Sequence, residues 1–201
     1  MPAPPIIEAP PSEAPATTRA LLAPPGGILM WIVVGLELLT FALVFVAVGL
    51  FRAGDPGAFA AGQARLDPRH GLALTVVLLT SGWLAAEAVH CVRAGRIARA
   101  RRWYAGSIAL GLAFVGLKIE DYVAKASAGL RLSDDFGSAY LLATGFHFAH
   151  VLVGLTMLVY VAARIGRARF EDSETAVAGT ALFWHMCDVA WFFLFPLFYA
   201  R

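Results

Sequence analysis

Five apolar blocks, at about Gly27 to Phe51, Leu72 to Val92, Trp103 to Tyr122, Ala139 to Ala163 and Ala176 to Tyr199, constrain this chain more than any other feature. A helix rises about 1.5 Å per residue, so roughly 20 apolar residues cross a hydrocarbon core. Apolar residues make up 59% of the 201, mean hydropathy is +0.70, and the charges sit mostly between the blocks. Lipid offers no hydrogen-bond partner to backbone, so such blocks are expected to be helical. The expected fold class is all-α: a polytopic membrane protein built as a five-transmembrane-helix bundle. A net charge of +2, with aromatics confined to the apolar blocks, excludes a nucleic-acid-binding surface.

Orientation follows from Arg and Lys in the short loops. Arg93, Arg96, Arg99, Arg101 and Arg102 lie between the second and third blocks, and Arg164, Arg167 and Arg169 between the fourth and fifth. The opposite loops carry Arg52, Arg65, Arg69, Lys125 and Arg131, interspersed with Asp55, Asp67, Asp134 and Asp135. This asymmetry places the N-terminus in the cytoplasm and Arg201 outside. Residues 1–24 are rich in Pro and Ala and are expected to form a disordered cytoplasmic tail; residues 25–201 form the membrane domain. Met1 to Leu22 lacks the basic, apolar, small-residue order of a cleaved signal, so the first span is expected to serve as an uncleaved start signal. Cys91 and Cys187 have no paired spacing and are expected to pack as small apolar side chains.

The polar residues inside the blocks are patterned. Glu87 and His90, Lys118 and Asp121, His147 and His150, and His185 and Asp188 are each three positions apart, so each pair shares a helix face, while Glu37 stands alone. Charged groups at membrane depth must face other helices, a cleft or an interface. His147, His150, His185 and Asp188 fall near the middle of their spans, where the two pairs can meet. Glu87, His90, Lys118 and Asp121 fall near span ends, where water and headgroups are within reach. Two chemistries suit the histidines. Imidazoles three apart, with Asp188, can ligate a metal or haem iron, although two stacked haems need ligands farther apart than the about 4.5 Å that three residues give. Alternatively, imidazole and carboxylate satisfy one another as an interhelical hydrogen-bond cluster, which the pattern favours. Glu37 likewise suits either a protonated packing residue, the favoured role, or a proton-binding carboxyl in a transport path. Pro196 is expected to bend or end the last helix, and Trp184 and Trp191 to pack or face lipid.

Read in order, Leu36-Glu37-Leu38-Leu39-Thr40-Phe41, Thr80-Ser81-Gly82-Trp83, Gly116-Leu117-Lys118-Ile119-Glu120-Asp121-Tyr122, Ala143-Thr144-Gly145-Phe146-His147-Phe148-Ala149-His150-Val151 and Phe183-Trp184-His185-Met186-Cys187-Asp188-Val189-Ala190-Trp191 resemble the successive signatures of subunit III of the haem-copper oxidases. The resemblance spans about Pro25 to Arg201 and implies a five-helix version of that subunit. It implies no catalytic residue, metal or cofactor on this chain, with haem and copper in a catalytic partner, subunit I. It also implies bound phospholipid in a cleft, support of stability and sustained proton uptake, and residence in the bacterial plasma membrane. Glu37 resembles the family's intramembrane carboxylate, and His147, His150, His185 and Asp188 its structural polar positions.

Lys118 before Asp121-Tyr122, the Phe183-Trp184-His185-Met186 opening and the closing Leu194-Phe195-Pro196-Leu197-Phe198-Tyr199 are similar to the NorE-type branch, whose partner is the large subunit of nitric oxide reductase. The Asp121 carboxyl is one methylene shorter than the family's usual Glu, which puts its interhelical contact in question. An independent His-ligated membrane enzyme is the contrasting function.

Overall fold

The computed structural model describes residues 24–166 and 173–200. The expected tail before Pro24 and the charges of Arg167, Arg169 and Arg201 lie outside the described residues. Among those described, the chain forms helices α1 (Ile28–Gly54), α2 (Pro56–Gln63), α3 (Pro68–Arg93), α4 (Ile97–Ser127), α5 (Asp135–Arg164) and α6 (Ser173–Tyr199). Helices α1, α3, α5 and the Glu174–Tyr199 part of α6 are long and apolar enough to cross a membrane. This makes the chain a polytopic helical membrane protein. Helix α4 covers the expected third span over 31 residues, but Lys118, Glu120 and Asp121 interrupt its apolar stretch.

Two helices start on the same local signal. The Asp55 carboxylate accepts a hydrogen bond from the Ala58 amide at 2.8 Å, and Asp67 accepts one from Arg69 at 2.9 Å. In each case Pro occupies the first helical position, where a missing N–H costs nothing. The first of these signals opens α2, whose eight residues are too few to register as an apolar block. Gly62 on α2 lies against the Phe136 ring, which comes within 2.1 Å of where a Cβ would be. The Gln63 side-chain amide donates to the carbonyls of Leu197 at 3.1 Å and Ala200 at 3.3 Å, so α2 caps the end of α6.

Helix α6 packs against α1, α3 and α5, while α4 packs mainly on α3 and α5. Trp184, Trp191 and Phe198, seven residues apart, point one stripe of α6 into the core. Helix α1 is peripheral: Val34, Phe41 and Val48, also seven apart, are its buried residues, and Leu29, Leu36, Leu43 and Leu50 are exposed. Such exposure is unfavourable in water and neutral in lipid. Pro196, where the sequence alone points to a bend or an end, lies inside α6, which continues to Tyr199. Its missing N–H leaves the Phe192 carbonyl without an i+4 donor on the side where Phe192 and Phe193 are exposed.

Candidate functional site

The densest polar cluster ties three helices together at one end of the bundle. Lys118 on α4 is fully buried at 0% exposure. Its ammonium donates to Asp121 Oδ2 at 3.0 Å and to the Tyr140 hydroxyl on α5 at 2.8 Å. It also sits 4.5 Å from the Tyr122 ring centroid and 5.3 Å from that of Trp191. The Tyr140 hydroxyl donates its one proton to Asp121 Oδ2 at 2.9 Å, so in its 2.8 Å bond with Tyr199 on α6 it is the acceptor. Lys125, one helical turn past Asp121, donates to Asp121 Oδ1 and to the Tyr199 hydroxyl. His70 on α3 approaches Asp121 at 3.6 Å, too long for a hydrogen bond. Two ammonium groups thus share one carboxylate, with two phenols and two aromatic faces absorbing the excess positive charge.

The mid-span residues separate into three groups instead of one cluster. His150 Nδ1 donates to its own helix at Phe146 O, 2.8 Å away, and Nε2 meets Glu37 Oε2 on α1 at 3.0 Å. With Nδ1 committed as donor, one proton is shared across the second contact: it sits on a neutral Glu37 or on an imidazolium. His147 is fully buried; its Nε2 donates to the Cys187 carbonyl at 3.0 Å, and Nδ1 has no partner among the described residues. His185 Nδ1 meets Asp188 Oδ2 at 3.0 Å within α6, and Asp188 Oδ1 is buried without a partner. Gly82 on α3 makes room for this carboxylate, since a Cβ there would come within 2.0 Å of Asp188 Oδ2. Among the described residues, no three His, Cys, Asp or Glu side chains converge as a metal-binding group.

Two tryptophans complete the seam. Trp184 Nε1 donates to Ser81 Oγ at 3.2 Å, and Ser81 in turn bonds Ser107 O on α4 at 2.7 Å. Trp191 Nε1 donates to Thr75 Oγ1 at 2.9 Å. Both rings are fully buried, and Trp191 stands edge-on to Phe114. Cys91 and Cys187 are free, buried thiols.

A family model described as cytochrome c oxidase subunit III matches residues 27–201. The chain belongs to the cytochrome c oxidase subunit III family. It is 31% identical over 167 residues to a Corynebacterium diphtheriae protein named cytochrome c oxidase subunit 3, covering 81% of this chain and 82% of that one. A Mycobacterium bovis protein named probable cytochrome c oxidase subunit 3 is 31% identical over 175 residues, covering 86% and 85%. An Arabidopsis thaliana protein named cytochrome c oxidase subunit 3 is 34% identical over 128 residues, covering 62% of this chain and 47% of that one.

Within this subunit III fold, the structure brings together some residues that sequence reasoning kept apart. Glu37, which stands alone in its span, is joined to His150. Lys118 and Asp121, placed near water by their position along the helix, form the most buried ionic network. Despite its shorter side chain, Asp121 reaches across to α5. Conversely, the His147–His150 and His185–Asp188 pairs do not meet one another. Glu87 and His90 line an open groove of about 600 Å³ with Arg96, Arg99 and Arg102. Tyr140, Tyr199, Lys125, Ser81 and Thr75 were not legible as site residues. The spacing of Lys118, Asp121 and Lys125 on one face of α4 was the available signal for the last of the charged group.

Proposed function

We propose that this chain is the third, non-catalytic subunit of a respiratory haem-copper oxidase. It crosses the bacterial plasma membrane five times, with the N-terminus in the cytoplasm and the C-terminal end of α6 outside. Its partner is the catalytic subunit I, which holds the haem and copper, and phospholipid fills clefts between its helices. The observation that carries this is the family match over residues 27–201. It is supported by the way the intramembrane histidines are spent on hydrogen bonds to backbone and carboxylates. The relatives named above carry the oxidase name, so the nitric oxide reductase alternative is not favoured.

Several features support the transmembrane arrangement. Helix α4 lies antiparallel between α3 and α5 at full span length, and its charged residues Lys118, Asp121 and Lys125 are bonded to one another and to Tyr140 and Tyr199 inside the bundle. An ionic group buried against protein is tolerated at membrane depth, where one facing lipid is not. The subunit's task is to cover a flank of the catalytic subunit and keep its proton entrance organised during turnover.

The test is purification of this chain from its native membrane in mild detergent, with co-purifying chains identified by mass spectrometry and haems by a reduced-minus-oxidised spectrum. A large haem-bearing, copper-containing subunit is expected, and its haem types and companion chains distinguish an oxygen from a nitric oxide reductase. Recovery of the chain alone, with stoichiometric haem or metal bound, would make it an enzyme in its own right.

A further inference from the structure

Helices α1 and α3 flank α6 without packing extensively on one another, so a strip of α6 between them stays open. This strip carries His185, Val189, Phe192, Phe193 and Pro196. Its α1 wall is lined by Leu38, Ala42 and Phe45, which with Val189 and Phe193 bound a hollow of about 260 Å³. Its α3 side is set by Gly82, whose missing Cβ lets the Asp188 carboxylate lie against the helix.

The floor of this groove is polar at its middle. The His185 side chain is 41% exposed, and Nε2 makes no hydrogen bond among the described residues. Behind it, Asp188 is 6% exposed and its Oδ1 is unpartnered. His185 sits near the centre of a 27-residue helix, where the surroundings are hydrocarbon. Acyl chains supply no hydrogen bond to an imidazole, so lipid leaves this pair uncompensated. A second copy of this chain fits poorly, because it would set one concave groove against another. A single helix fills a groove between two helices and places a side chain at the depth of His185.

We propose that the α1–α6–α3 groove seats a transmembrane helix of the catalytic subunit, which presents a hydroxyl or amide side chain to His185 Nε2. The proposal rests on the oxidase-subunit reading and adds to it the docking face and the polar contact that registers it. Apolar packing by Val189 and Phe193 supplies close contact, and the hydrogen bond fixes depth, since a shift of one helical turn of about 5.4 Å removes the partner.

The experiment places a photo-crosslinking phenylalanine derivative at Val189 in the groove, 45% exposed, or at Leu112 on the far helix α4, 57% exposed, in the full complex in native membranes. Irradiation is expected to join position 189, and not position 112, to a transmembrane segment of the large haem-bearing subunit. His185→Phe is expected to lower recovery of that subunit about threefold at limiting detergent, the loss of one interhelical hydrogen bond, whereas His185→Gln retains it. Cross-linking of position 189 to lipid alone or to a second copy of this chain, or of position 112 alone to the large subunit, overturns the docking face and leaves the oxidase-subunit reading standing. Absence of any large haem-bearing subunit from the purified sample overturns that reading itself, and the docking face with it.

Discussion

At the scale of single residues, the cluster around Lys118 shows how an ionic group is held inside a membrane bundle. The count of partners is asymmetric: Asp121 is the one carboxylate, while Lys118 and Lys125 are both cations. Removing Lys118 leaves Asp121 still bonded to Lys125 and Tyr140; neutralising Asp121 leaves two ammonium groups facing each other. Asp121→Asn is therefore expected to destabilise the subunit by about 3–5 kcal/mol, the cost of leaving a buried charge uncompensated, and Lys118→Met by clearly less. Reversible unfolding in a detergent titration of the purified subunit measures both, and the opposite order would show that the cluster is held chiefly by Lys118. Glu37→Gln is expected to leave the complex assembled, because the amide donates to His150 Nε2 while Nδ1 still bonds Phe146 O; loss of assembly in that variant would show that the charge itself is structural. None of this partnering was legible beforehand except as shared faces along single helices. Spacing in sequence says which residues share a face, whereas Tyr140 and Tyr199 enter from helices whose rotation is set by packing elsewhere.

Between elements, the contacts are made by pairs of a large residue and a small one. Gly82 receives the Asp188 carboxylate, and Gly154 receives the Trp184 ring, with 2.8 Å from a would-be Cβ to the nearest ring carbon. Gly82→Ala is expected to cost about 1–3 kcal/mol through overpacking. That cost should largely vanish in an Asp188→Ala background, and a double-mutant cycle reads the coupling directly. Equal costs in both backgrounds would mean that the alanine clashes with something other than the carboxylate. Trp191→Phe is expected to cost about 1 kcal/mol for the lost hydrogen bond to Thr75, beyond any packing change, measured by the same unfolding titration. The helices themselves were visible in advance because apolar length alone encodes them. Helix α2 was not, since eight residues give no length signal; its Asp55-Pro56 start repeats the signal that opens α3 at Asp67-Pro68. Which helix lies at the centre was also hidden, because α6 is no more apolar along its length than the peripheral α1 and differs only in what touches it.

For the whole molecule, the chain has polar contacts held between helices and an exterior of aliphatic and aromatic side chains, in which His185, near mid-span, and Glu37 are partly exposed. Glu37, Asp121, His147 and His150 are each bonded to a neighbouring helix, which suits a subunit that supports chemistry done elsewhere. The five-block pattern and the ordered motifs carried the family from sequence alone, because both are one-dimensional. The division of the mid-span residues into separate contacts needed the third dimension. An accessory, non-catalytic subunit leaves the chemistry itself intact when it is missing. The most direct measurement compares the respiratory complex from cells with and without this chain, recording haem per large subunit and the time course of turnover. Unchanged haem content and initial rate are expected, with activity decaying faster during turnover when the chain is missing. Loss of haem, or of the initial rate, in proportion to the missing chain would contradict an accessory role.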